Sequence, residues 1–209
     1  MLLSDPTPLI TVPVIPVVTI ERAADAVPLA LALLAGGLNV IEITLRTPAA
    51  LDAARAIIAE VPDIIVGIGT VIRPLDVTHA VDAGADFLVS PGTPASLVQA
   101  LADAPVPVLP GCATVSEAMV LAAFGFPVLK FFPAESSGGL RWLNAVAEPL
   151  PEIRFCPTGG VNGDNAASYL ALGNVLAVGG SWVAPAQAIA AGDFAGITAR
   201  ARIAAALHP

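Results

Sequence analysis

Hydrophobic and polar positions along the 209-residue chain follow a beat that repeats eight times. Short apolar, β-branched runs at residues 14–20, 39–45, 64–70, 87–91, 106–110, 128–133, 153–157 and 175–179 read as strands covered on both faces. Between them lie alanine- and leucine-rich stretches with helical spacing, such as "PLALALLAGG" and "SEAMVLAAFG". Gly36, Gly37, Gly84 and Gly125 fall where helices should end, and Pro48, Pro74 and Pro94 suit first turns. Eight strand–helix units predict an α/β fold, a closed (β/α)8 TIM barrel forming one domain over residues 1–209. Residues 1–12 precede the first strand as an N-terminal extension, placed over the barrel floor. A doubly wound open sheet is the alternative, but the glycines that would hold a dinucleotide after its first strand are missing from "VVTIERAAD".

A barrel of this kind works at the C-terminal ends of its strands, so side-chain parity there selects candidates. In "NVIEITLRT" alternation puts Ile41, Ile43 and Leu45 on one face and Glu42, Thr44 and Arg46 on the other. The apolar set must face the helices, which turns Glu42 and Arg46 into the barrel. In "VLKFFPAE" the same parity separates Leu129 and Phe131 from Lys130 and Phe132, so Lys130 and Glu42 can meet. Lys130 is the one lysine of the chain, set in an apolar strand. Burying an ammonium is costly, and the cost has a chemical use. A free lysine near pKa 10.4 holds under about 0.1% neutral amine at pH 7, and a buried one holds more, which makes it a nucleophile toward carbonyls. A Schiff base then serves as an electron sink for making or breaking an adjacent carbon–carbon bond.

Glu42 reads either as a partner for Arg46 on the same strand face or as the proton shuttle that carbinolamine formation, dehydration and enamine protonation require. Arg46 suits bidentate capture of a carboxylate. Thr70, closing "VGIGT", and Thr158, in "CPTGG", stand at strand ends as pocket candidates. The pairs Gly159–Gly160 and Gly179–Gly180, with Ser181, follow the last two strands, where such barrels bind phosphate with backbone amides.

Composition narrows the partners. Hydrophobic residues are 56% and charged residues 12%, ample for a core. A net charge of -8 argues against nucleic acid and anionic membranes. The longest uncharged stretch, 165–192, is interrupted by Gly173, Asn174, Gly179, Gly180, Ser181, Pro185 and Gln187 and does not make a membrane span. The opening "MLLSDPTPLI", with Asp5 and two prolines and no basic stretch before an apolar run, is unlike a secretory signal, and a cytoplasmic location is expected. Cys112 and Cys156 read as buried free thiols, and Trp142 and Trp182 as core or interface residues. His79 and His208 match neither a catalytic base nor a metal cluster, so no cofactor or metal is expected.

The motifs "EITLRT", "GIGTV", "VSPG", "KFFPAE", "RFCPTGG" and "VGGSWV", in that order, closely resemble the 2-keto-3-deoxy-6-phosphogluconate (KDPG) and 4-hydroxy-2-oxoglutarate aldolase family of class I aldolases. The resemblance extends from "VIPVVTI" onward. It implies Lys130 as the Schiff-base lysine and Glu42 as general acid/base. It also implies a keto-acid pocket of Arg46, Thr70, Phe132 and Thr158, with Pro91 a further substrate-binding residue and Gly159, Gly160, Gly179, Gly180 and Ser181 at the phosphate end. The implied reaction is reversible cleavage of KDPG to pyruvate and glyceraldehyde 3-phosphate, the closing step of the Entner–Doudoroff pathway, by a homotrimer. Action on 2-keto-4-hydroxyglutarate is compatible with these motifs. "PGCATVSEA" looks somewhat like the sister group acting on the galactonate epimer, whereas "KFFPAE" and "CPTGG" look like the gluconate type. Other readings are a phosphate-binding barrel such as an isomerase or a thiamine phosphate synthase-like transferase, and a non-enzymatic binding barrel.

Overall fold

The computed structural model describes residues 5–207; Met1–Ser4 of the expected extension, with His208 and Pro209, lie outside the described residues. The strands are β1 (Val14–Val18), β2 (Val40–Thr44), β3 (Ile65–Gly69), β4 (Phe87–Val89), β5 (Val108–Leu109), β6 (Gly111–Cys112), β7 (Val128–Phe131), β8 (Arg154–Pro157) and β9 (Val178–Gly180). The helices are α1 (Ala26–Ala35), α2 (Ala50–Glu60), α3 (Pro74–Asp82), α4 (Ala95–Ala102), α5 (Val115–Ala123), α6 (Gly139–Ala147), α7 (Ala166–Leu170), α8 (Ala186–Ala190) and α9 (Phe194–Ala205). Among the described residues no helix is long and apolar enough to cross a membrane.

All strand pairs are parallel, and together they make a ring. Six strands run β5-β4-β3-β2-β1-β9 and three run β6-β7-β8. Parallel bridges Phe155–Val175 and Thr158–Gly179 join β8 to β9, and β5 and β6 are one path broken at Pro110. This is the TIM barrel that the repeating pattern predicts, with local differences. The fifth strand, expected over 106–110, pairs from Val108 and runs on through Cys112. Proline has no N–H to give the ladder, although the Pro110 carbonyl still accepts from the Lys130 N–H at 2.9 Å. Next in line, the Gly111 N–H is taken by Ser90 Oγ at 3.0 Å, a side chain replacing a strand carbonyl. The last strand, expected over 175–179, touches β8 at Val175 only through an isolated bridge, and its continuous pairing, with β1, begins at Val178. Pro74 opens α3 and Pro94 caps α4, but Pro48 lies in a turn before α2.

The pleat sorts the apolar side chains into two shells. Ile41, Ile43, Leu129 and Phe131 point outward into a core shared with the helices. Ile15, Val40, Phe87, Val89, Leu109, Val128, Cys156 and Ala177 fill the barrel interior. Full burial of each large aliphatic side chain contributes about 1.5–3 kcal/mol. Ile10 joins the inner shell from the segment before β1, and Thr7 Oγ1 accepts from Arg154 Nη2 at 2.9 Å. The packed interior leaves the chemistry to the opposite end of the barrel, where the strands stop.

Gly67 shows how tightly the interior is filled: a Cβ there would fall 2.2 Å from Cζ of Phe87. Gly67→Ala is expected to destabilise the fold by about 1–3 kcal/mol through overpacking, read as a lower midpoint in urea denaturation with unchanged slope.

Candidate active site

β7 and β2 stand apart in the ring, and parity aims one charged side chain from each into it. Lys130 Nζ lies 3.1 Å from Glu42 Oε1 and 3.5 Å from Oε2. Both side chains are almost fully removed from solvent, at 4% and 3% exposure. A buried charge left alone in such a place is costly, so each makes the other tolerable. Glu42 therefore does not pair with Arg46, the blander reading of the sequence. The Arg46 guanidinium is exposed and makes no ion pair with any described residue.

The backbone around the pair is shaped to admit it. Glu42 crosses β3 at Gly69, where a Cβ would lie 2.1 Å from Glu42 Oε1 and 2.7 Å from its Cγ. Such a distance excludes any side chain while the carboxylate stays in place. The next residue, Thr70, has φ 61°, and it is the only non-glycine with positive φ among the described residues. Left-handed backbone at a β-branched residue costs on the order of 1–3 kcal/mol and is characteristic of functional sites. On the opposite side, Lys130 is level with Gly111 and Cys156, and its Nζ lies 5.4 Å from the centre of the Phe132 ring.

Above the ion pair opens a cavity of about 370 Å³ lined by Arg46, Phe132, Thr158, Gly159, Gly160, Gly180 and Ser181, together with Val17 and Thr19 of the β1 end. Seven of the residues selected from sequence thus line one cavity. Gly179 lies behind Thr158, whose Oγ1 occupies the space a Cβ at 179 would need. Pro91 faces a neighbouring hollow of about 440 Å³ with Ile72, Thr93 and Glu117. The glycine loop after β8 has φ 95° at Gly159 and 82° at Gly160, backbone that glycine adopts without strain. Arg46 at one side and the glycine and serine backbone at the other make the cavity suited to a ligand with two anionic ends.

Four supporting residues are not singled out as site residues by parity along a strand. Gly69 looks like ordinary strand filler. Thr19 reads as the end of an apolar strand, although its hydroxyl lies 3.0 Å from that of Thr44. Glu135 runs beneath Gly160, where a Cβ would meet its Cγ at 2.5 Å, and its Oε1 accepts a hydrogen bond from the hydroxyl of buried Tyr169. Burial and that carboxylate push the Tyr169 hydroxyl well above the ordinary phenol range, so it stays a donor. The Glu135 N–H also donates to the Gly159 carbonyl at 3.1 Å, which ties the loop from both sides. The signal for Glu135 and Tyr169 is tertiary and has no sequence spacing.

The remaining polar candidates fall outside the cavity. Cys112 and Cys156 are free and buried, and burial pushes each thiol up to about 12. At Cys156 the Lys130 charge works in the opposite direction to burial, and Glu42 adds to it. His79 is exposed in the last turn of α3. Trp142 stacks on Phe131 at 4.2 Å and meets Phe155 edge-on at 5.3 Å, a packing role. Among the described residues, no three His, Cys, Asp or Glu side chains gather as a metal site would require.

Comparison with known proteins shows the family. A family profile described as "Aldolase: KDPG and KHG aldolase" matches residues 7–200. The KHG/KDPG aldolase of Escherichia coli K12 is 49% identical over 194 residues, covering 93% of this chain and 91% of its own. A crystal structure of KDPG aldolase from Legionella pneumophila, with pyruvate captured as a covalent carbinolamine intermediate, superposes with a TM-score of 0.92 at 44% identity, covering 94% of this chain and 96% of its own. The Zymomonas mobilis ZM4 2-keto-3-deoxy-6-phosphogluconate aldolase with 3-phosphoglycerate gives 0.89 at 46% identity, covering 95% and 93%. By its profile match, its sequence identity and the barrel that carries its one lysine, the chain belongs to the KDPG and KHG aldolase family.

Proposed function

We propose that the protein is a metal-independent class I aldolase that reversibly cleaves KDPG to pyruvate and glyceraldehyde 3-phosphate, in the cytoplasm, as the closing step of the Entner–Doudoroff pathway. The observation that carries this reading is the buried contact of 3.1 Å between the one amine in the barrel and Glu42. Lys130, freed of its proton, adds to the C2 carbonyl, and the carbinolamine loses water to give the iminium. Removal of the C4 hydroxyl proton lets the C3–C4 bond break, its electron pair passing into the iminium to form an enamine while the aldehyde leaves. Protonation at C3 and addition of water release pyruvate and return the amine. Each step moves a proton at or next to Nζ, and Glu42 is the buried carboxylate within reach.

Arg46 is assigned the substrate carboxylate, and Gly159, Gly160, Gly180 and Ser181 the phosphate, with Phe132 and Thr158 forming the walls between them; Gly179 backs Thr158, and Thr70 and Pro91 lie outside the lining of this cavity. Relatives at 49–50% identity carry gluconate-type names, whereas a KDPGal structure matches at 26% identity, which favours the gluconate epimer over the galactonate one. A homotrimer is part of the proposal. Val115, Met119, Val120 and Phe124 leave an apolar stripe on and just beyond α5, 40–57% exposed, and Ile72 and Leu75 are likewise exposed around the start of α3. Patches of this kind mark subunit contacts.

Three outcomes test the assignment. Incubation with pyruvate and borohydride, followed by digestion and mass spectrometry, is expected to place a reduced pyruvate adduct on Lys130; folded protein without that adduct would refute the Schiff-base mechanism. Glu42→Gln should lower kcat by about 10²–10⁴-fold with a much smaller change in KM, measured in coupled cleavage assays. Lys130→Met strands the Glu42 carboxylate in the barrel, and is expected to cost about 3–5 kcal/mol of stability. A second change, Glu42→Leu, should restore much of that in denaturant titrations.

A further inference from the structure

Thr19 follows the last residue of β1 and continues its inward-facing set, since Ile15 belongs to the barrel interior and Val17 lines the cavity. Its own side chain borders the same cavity, between Arg46 on one side and Gly180 and Ser181 on the other. The polarity of its hydroxyl is fixed by two hydrogen bonds. Thr44 Oγ1 donates to the Val18 carbonyl at 3.0 Å, and a carbonyl can only accept. A threonine hydroxyl has one proton, so Thr44 has none left for Thr19. The 3.0 Å contact between the two hydroxyls is therefore donated by Thr19. What Thr19 Oγ1 retains is lone pairs, and it offers the cavity an acceptor and no donor.

Its height in the barrel says which substrate group can use that acceptor. Val17 is level with Glu42 across the β1–β2 pair, so Thr19 stands two residues nearer the mouth, about 6–7 Å along the strand. On the aldolase reading above, C2 of the substrate is held at Lys130 and the C4 hydroxyl must lie near Glu42. The next hydroxyl toward the mouth is on C5, between the reacting carbons and the phosphate. We propose that Thr19 is a specificity-determining residue that accepts a hydrogen bond from the C5 hydroxyl of the substrate, which is the C2 hydroxyl of glyceraldehyde 3-phosphate. The inference rests on that reading of the site.

The test uses the condensation direction, pyruvate with either glyceraldehyde 3-phosphate or 3-oxopropyl phosphate, which keeps the aldehyde and the phosphate and lacks only this hydroxyl. Thr19→Val, nearly the same shape without the acceptor, is expected to lower kcat/KM for glyceraldehyde 3-phosphate by about tenfold and to leave that for 3-oxopropyl phosphate within about twofold. Thr19→Ser should retain the wild-type preference. Equal loss with both aldehydes would make Thr19 a structural residue, and no loss with either would remove it from recognition; both results overturn the proposal. The pyruvate adduct on Lys130 is expected in wild type and Thr19→Val alike. Wild-type protein that forms no adduct and condenses neither aldehyde would instead refute the aldolase reading, and the Thr19 assignment with it.

Discussion

The contact between Lys130 and Glu42 is the constraint around which the rest of the barrel is arranged. Two opposite charges in a nearly dry interior are stable only as a pair, and their residues lie 88 positions apart in the chain. Only a closed sheet that brings the ends of β2 and β7 to face each other can satisfy both. Closure in turn depends on the bridges between β8 and β9 and on the path through Pro110, whose carbonyl holds the backbone of Lys130 itself. The apolar inner shell below serves the pair by keeping water out from that side, and the cavity above admits a ligand from the other.

Much of this was legible in the residues because the barrel is built on two periodicities. Alternation along β2 and β7 predicted which faces Glu42, Arg46, Lys130 and Phe132 would take, and burial on both sides of the sheet left little freedom for error. The strand-end glycines were legible for the same reason, since a repeating unit fixes where each loop must fall. Strand limits were less so. Pro110 interrupts the fifth strand without ending it, because Ser90 supplies the missing acceptor, and no local propensity encodes that substitution of side chain for backbone.

What the sequence could not display is contact between residues that share no element. Glu42 could have turned to Arg46, its neighbour on the same strand face, and only the geometry of β7 settles the choice in favour of Lys130. The clip formed by Tyr169 and Glu135 under Gly160 joins α7, the turn after β7 and the loop after β8, which have no common spacing. The direction of the hydroxyl chain from Thr19 through Thr44 to the Val18 carbonyl follows from counting protons, and that count requires coordinates.

The close passage of Glu42 over Gly69 reaches beyond this molecule. It makes the absence of a side chain at one position a record of a carboxylate at another, since neither can change alone without a collision or an unfilled gap. In a related barrel, a bulkier residue at the position of Gly69 would mean that the carboxylate facing the lysine has been moved or lost, even if the lysine remains. The glycine thus offers a negative criterion for separating barrels that retain this buried pair from those that keep only its scaffold.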